Sequence, residues 1–244
     1  MYKRKRVTAV ILAGGNGSRM GISENKVYLT LGKRPAILYA LETFDQHPYV
    51  DELVFVTKKE EWKSAEALLR AENLKKPWRL VLGGDSRKAS VRNAIATVHN
   101  EIVLVHDGAR PLVQGDSIKA CVEALDRYDG AVVAIPMEEE VYRVSKKQEA
   151  PKRLTQTRYA AQTPQGFYTK TLRECHLRHR ENANITDDSC LLELEGYKVG
   201  IVQGELCNVK LTTPMDLSIA TAYLSKLNNT EIEETLEYLN VLNF

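Results

Sequence analysis

The chain has no cysteine pair at the spacing of a metal or redox centre. Cys121, Cys175, Cys190 and Cys207 stand far apart, with no C-x-x-C pattern among them. They read as reduced, mostly structural thiols, which excludes a cysteine-based metal site. Long apolar runs are missing too. Nothing approaches the roughly 18 residues of a membrane span, and the N-terminus lacks the hydrophobic region of a signal peptide. A cytoplasmic protein with no membrane partner is expected. An excess of charge is also lacking: the formal net charge of +2 is too small to argue for nucleic acid. The local cluster Lys3-Arg4-Lys5-Arg6 reads as a solvated terminus ahead of the first strand. His176 and His179 lie three apart on a helical stretch beside Arg178 and Arg180, without a Cys or carboxylate to complete a ligand set. A solvated helical face is expected there.

Two familiar glycine motifs are absent as well. The P-loop needs a Lys directly after its last Gly, whereas Met20-Gly21 is followed by Ile22-Ser23 and the next Lys is Lys26. The dinucleotide fingerprint fails because Gly21 comes one residue late after Gly15-x-Gly17. The second strand also runs into Thr57-Lys58 instead of an acidic ribose ligand.

What is present is a strand-to-loop junction suited to a polyphosphate. Val7–Leu12 is a β-branched and apolar run, and Gly14, Gly15 and Gly17 then allow backbone N–H groups to approach an anion. Arg19 and Lys26 add two positive charges. With 244 residues, 43% hydrophobic and 27% charged, the chain is long enough to bury a sizeable core in one α/β domain.

Strand-like runs at Val7–Leu12, Leu53–Val56, Arg79–Leu82, Ile102–His106, Ala131–Ile135 and Lys198–Val202 alternate with amphipathic stretches. The pattern predicts a doubly wound, mostly parallel sheet with helices on both faces. Ligands bind such sheets at the carboxyl ends of strands. Three loops fall there: Gly14–Gly21, Gly83-Gly84-Asp85-Ser86-Arg87 and Asp107-Gly108-Ala109-Arg110-Pro111. On the plainest reading, the second is a polar turn before a helix from Lys88 to Val98. Asp107 is then a turn residue paired with Arg110, and Gln162–Gln165 is a turn fixed by Pro164. Residues 136–160 break the rhythm and read as an insertion leaving the sheet, a β-arm suited to dimerisation. Thr186-Asp187-Asp188 is a helix start before Ser189–Leu194, closed by Gly196, and Thr213-Pro214 opens another helix. Thr230–Phe244 reads as an acidic, solvent-facing helix.

Taken in order, Leu12–Lys26, Gly83–Val91, Val105–Pro111, Gln162–Gln165 and Asn208–Pro214 resemble the methylerythritol phosphate cytidylyltransferases and their relatives, the ribitol-5-phosphate cytidylyltransferases. The resemblance implies a Rossmann-like nucleotidyltransferase that joins CMP from CTP to a polyol phosphate with Mg²⁺ and releases pyrophosphate, as a homodimer. It implies that Arg19, Lys26 and Lys210 are catalytic, and that Ala13, Gly14, Gly15, Gly84, Asp85, Arg87 and Ser90 bind the nucleotide, with Arg87 supporting the cytosine loop. Asp107, Arg110 and Thr163 would contact the acceptor, and Asp107 the Mg²⁺. The chain departs from the family in the arm, where Glu138-Glu139-Glu140-Val141-Tyr142-Arg143 replaces an Asp-Thr-x-Lys run. It also carries Thr155 at a position that is Arg in the family, eight residues before Thr163. At this stage the acceptor stays open between methylerythritol phosphate, for isoprenoid precursors, and ribitol 5-phosphate or another polyol phosphate. A CTP-binding module without turnover and a sugar-nucleotide transferase using UTP or GTP are the further alternatives.

Overall fold

The computed structural model describes residues 1–15, 25–144, 152–180, 185 and 187–227. Its strands are β1 (Val7–Leu12), β2 (Thr30–Leu31), β3 (Arg34–Pro35), β4 (Glu52–Thr57), β5 (Trp78–Leu82), β6 (Ile102–Asp107), β7 (Gly130–Pro136), β8 (Tyr142–Arg143), β9 (Lys152–Arg153), β10 (Tyr159–Tyr168) and β11 (Val199–Gln203). The helices are α1 (Ala36–Gln46), α2 (Trp62–Ala71), α3 (Arg87–Ala96), α4 (Gly115–Ala124), α5 (Thr169–Arg178), α6 (Asp188–Leu194) and α7 (Pro214–Leu227).

Seven strands form one sheet in the order β11-β7-β10-β6-β1-β4-β5. All run parallel except β10, which pairs antiparallel with both β6 and β7. Central strands buried on both faces need continuous apolar runs, and β1 and β6 have them. Along β1, Ala9 and Ile11 pack with Phe55, Leu104, Phe44 of α1 and Val122 of α4. Val10 faces the other way, into a cluster with Val54, Val105, Ile95 of α3 and Leu172 of α5. A third cluster, with Leu31, Leu112, Leu211 and Ala220, seats α7 beside the small β2–β3 hairpin.

The register matters for function because it levels the strand ends. Leu12 lies opposite Val56 on one side and Asp107 on the other. Hydrogen bonds continue past the strands, from Ala13 N to Val56 O at 2.8 Å, Gly83 N to Thr57 O at 2.9 Å and Gly108 N to Leu12 O at 2.9 Å. The loops after β1, β5 and β6 therefore leave the sheet on one rim. Gly108 is required there, since a Cβ would lie 2.8 Å from the carbonyl oxygen of Leu12.

Four expectations change. Gln162–Gln165 is not a separate turn: it lies inside β10, at a register shift between Ala161 and Gln165, the kind of irregularity where a strand accepts proline. The expected insertion at 136–160 is narrower at its ends, because Tyr159 and Ala160 already pair with Pro136 and Ile135. Between them, β8 and β9 form a two-stranded ribbon. The helix expected over Lys88–Val98 runs Arg87–Ala96, with Ser86 as its cap. His176 is not on a solvated face. It is fully buried with Leu172 and Cys175, the i, i+3, i+4 stripe by which α5 packs on the sheet, and its basic neighbours disguised that stripe. His179 pairs with Glu195 at 2.7 Å. Thr186 and the stretch from Thr230 to Phe244 lie outside the described residues. No described helix is long and apolar enough to cross a membrane.

Candidate active site

A cleft of about 610 Å³ opens at the carboxyl rim of the sheet. Gly14 and Gly15 form one wall, continuing β1. A Cβ on either would meet no described atom within 4 Å, because both face the cleft space itself. Lys26 enters from the short 3-10 turn Lys26–Tyr28. Asn25 starts this turn: its Nδ2 donates to the carbonyl oxygen of Ala13 and, at 2.9 Å, to Glu61. The turn that carries Lys26 is thereby tied to the end of β1.

The opposite wall is Gly83–Ser86 and the start of α3. Ser86 caps the helix by accepting from Ala89 N at 3.0 Å. Ser90 Oγ accepts from Gly84 N at 3.0 Å, so its hydroxyl holds the loop. Gly84 sits so close to α3 that a Cβ would lie 2.6 Å from that of Ala89. Asp85 is exposed at the loop's tip and lines the cleft.

Asp107 ends β6 on the cleft floor. Its Oδ1 accepts from Arg87 Nε at 3.0 Å and its Oδ2 from Lys210 Nζ at 2.5 Å. Burial alone would raise this carboxyl, but the Arg87 and Lys210 charges hold it well below the usual carboxylate range. The Arg87 side chain bridges two carboxylates, Asp107 and Asp188. Burial opposes its charge, yet Asp188 and Asp107 raise its already high pKa further, and its Nη1 lies 2.6 Å from Asp188. Lys210 is carried by the segment after β11. That segment is fixed by Leu211 N to Ala109 O at 2.8 Å, and by buried Asn208, which donates to Gln162 Oε1 at 3.2 Å and to Thr163 O at 2.9 Å.

Gly14, Gly15, Lys26, Gly84, Asp85, Arg87, Ser90, Asp107 and Lys210 thus meet around one cavity. Ala13 is buried behind it. Arg110 does not pair with Asp107: its Nη1 and Nη2 donate to the carbonyls of Asn208 (2.7 Å) and Ala161 (3.2 Å). Thr163 is buried, accepting from Asp107 N at 3.1 Å and bonded to His106 Nδ1 at 3.0 Å. Arg19 lies outside the described residues. Sequence reasoning missed Lys58, which lines the cleft; its position just past the second parallel strand was the available signal. It also missed Asn25, His106, Asn208 and Asp188, whose roles depend on partners distant in the chain.

Among the lining residues, four cations (Lys26, Lys58, Arg87, Lys210) face two carboxylates (Asp85, Asp107). The surplus suits a polyanion. The described residues contain no group of three His, Cys, Asp or Glu able to hold a metal. One ionised carboxylate facing a polyphosphate-sized cleft does fit Mg²⁺, which is commonly held by one or two carboxylates plus substrate phosphates.

Residues 7–226 match the family model of 2-C-methyl-D-erythritol 4-phosphate cytidylyltransferase. The chain is 36% identical to the enzyme of that name from Clostridium tetani, over 94% of each chain. It is 38% identical to that of Caldanaerobacter subterraneus, over 90% of this chain and 99% of the relative. The 4-diphosphocytidyl-2C-methyl-D-erythritol synthase of Anaerococcus prevotii superposes with a TM-score of 0.81 at 26% identity, covering 91% of this chain and 96% of that one. The Thermus thermophilus cytidylyltransferase superposes at 0.71 and 27% identity, covering 89% and 98%. With its motifs gathered on one rim and these likenesses spanning nearly its whole length, the chain belongs to the 2-C-methyl-D-erythritol 4-phosphate cytidylyltransferase family.

Proposed function

We propose that the protein transfers the cytidylyl group of CTP to 2-C-methyl-D-erythritol 4-phosphate, a step toward isoprenoid precursors. A phosphate oxygen of the acceptor forms a bond to the α-phosphorus of CTP. The bond from that phosphorus to the β-phosphate oxygen breaks, and pyrophosphate leaves with its electron pair. Such transfers need positioning and charge neutralisation more than covalent help. Carrying this reading is the convergence of Lys26, Lys210 and the glycine walls on a single cleft.

In this reading, Lys26 and Arg19 neutralise the α-phosphate and the departing pyrophosphate, and Lys210 acts on the attacking side. Ala13, Gly14 and Gly15 present backbone to the nucleotide. The loop of Gly84, Asp85 and Ser90 takes the cytosine edge, while Arg87 holds Asp107. Mg²⁺ held by Asp107 and the triphosphate would supply further charge neutralisation. Arg110 and Thr163 serve the acceptor phosphate. In the structure Arg110 Nη1 braces the segment that carries Lys210, through the carbonyl of Asn208, and Nη2 holds the carbonyl of Ala161 on β10.

We also read the protein as a cytoplasmic homodimer joined through the arm. Met137, Tyr142, Val144 and Tyr159 are exposed apolar side chains on and beside the β8–β9 ribbon. All four cysteines are free, which fits a reducing compartment.

The test is pyrophosphate release by the purified protein with CTP and Mg²⁺, supplied with methylerythritol phosphate or ribitol 5-phosphate in parallel reactions. Turnover with methylerythritol phosphate is expected. Turnover with ribitol 5-phosphate alone would replace the acceptor, and silence with both would overturn the reading.

A further inference from the structure

Behind the cleft lie two buried polar residues to which the transfer reaction assigns no role, joined to its floor through Arg87. Asp188, at the start of α6, and His176, on α5, are 1% and 0% exposed, and His176 Nε2 lies 2.9 Å from Asp188 Oδ1. Asp188 Oδ2 accepts from Arg87 Nη1 at 2.6 Å, and Arg87 Nε reaches Asp107 at 3.0 Å. The start of α6 is itself pinned. Asp187 accepts from Gln165 Nε2 on β10 at 2.8 Å and from Ser189 N at 2.8 Å.

We infer that His176 and Asp188 are positioning residues for the transfer reaction, acting through Arg87 to fix the Asp107 carboxylate on the cleft floor. A guanidinium is a rigid planar fork, so a carboxylate on one edge sets where the other edge points. With Asp188 engaging Nη1, Nε is aimed at Asp107. The ionised Asp188 oxygen requires a donor from His176, so Nε2 carries the hydrogen and the imidazole orients the carboxylate in turn. Stability alone does not account for the array, because buried ion pairs are often matched or exceeded by apolar replacements of similar volume. The inference rests on the cytidylyltransferase reading only in that Asp107 serves the bound substrates, through Mg²⁺ and the triphosphate.

The experiment compares the full-length wild type with Asp188→Asn, His176→Leu and His176→Gln. Steady-state turnover with CTP and methylerythritol phosphate, calorimetric CTP affinity and melting temperature are measured for each. Asp188→Asn and His176→Leu are expected to fold and to lose about 10- to 100-fold in kcat or CTP affinity, the usual cost of removing an orienting partner. His176→Gln, which keeps an N–H donor, is expected to recover most of the loss. Wild-type turnover and CTP affinity in folded Asp188→Asn would overturn the inference, and that near-isosteric variant decides it even if His176→Leu does not fold. Equal losses in His176→Gln and His176→Leu would overturn the orienting role of His176. A wild type that binds CTP but does not turn over would count against the proposed reaction; the affinity arm would still read the array.

Discussion

Lys210 donates to Asp107 across 2.5 Å, joining the segment after β11 to the end of β6 and closing the cleft between them. Asp107 keeps its second partner, Arg87, when Lys210 is replaced, so Lys210→Met is expected to leave the fold intact. Removing a preorganised cation from the reacting phosphates should lower kcat/KM by about 10²–10³-fold. Steady-state kinetics beside a melting curve check this, and near-wild-type turnover would remove Lys210 from the chemistry.

Lys26→Gln is expected to lower turnover by a similar factor, about 10²–10³, because it deletes a preorganised cation from the transferring phosphates. Arg19→Ala is expected to behave alike. Circular dichroism should show both variants folded. A variant of either residue that keeps most of its activity would show that the charge-neutralising roles are misassigned.

The same two lysines show how much was readable in advance. Val7–Leu12 and Ile102–His106 announced themselves as buried parallel strands by their unbroken apolar runs, and the loops after them held the polar residues that meet in the cleft. β10 was not readable, because Tyr159–Tyr168 carries two Gln, a Pro and a Gly in place of an apolar alternation. Its order comes from hydrogen bonds to strands on both sides. His176 and Asp188 were hidden for a related reason. Each looks like an ordinary surface residue until α5 and α6 pack against the sheet and give each the other as partner. The opposite happened at Arg110, where the nearby Asp107 suggested a pair that distant partners supplanted.

Gly84→Ala tests the nucleotide wall. The added methyl would sit 2.6 Å from Ala89 Cβ, so the loop must shift. Overpacking of this kind costs about 1–3 kcal/mol. The KM for CTP should rise and that for the acceptor should stay near wild type. An unchanged CTP KM would place the cytosine elsewhere.

His106 predicts a pH dependence of stability. Burial pushes its pKa down to about 4, from 6.5. Its Nε2 lies 3.0 Å from the carbonyl of Arg110, and its Nδ1 3.0 Å from the Thr163 hydroxyl, an arrangement met by the neutral ring. Between these pH values the unfolded chain binds a proton that the folded one refuses, so stability falls as pH drops from about 6.5 to about 4. The contribution is on the order of 3 kcal/mol. Urea denaturation at both ends of this window should show a smaller difference for His106→Gln, which does not titrate; equal differences would contradict the assignment.

The most direct measurement follows phosphorus itself, by ³¹P NMR of the protein with CTP, Mg²⁺ and methylerythritol phosphate. The account predicts loss of the CTP and acceptor signals in step, with growth of pyrophosphate and of a coupled pair from a new unsymmetrical diphosphate. Appearance of CMP or CDP without that pair, or CTP left unconsumed, would contradict it.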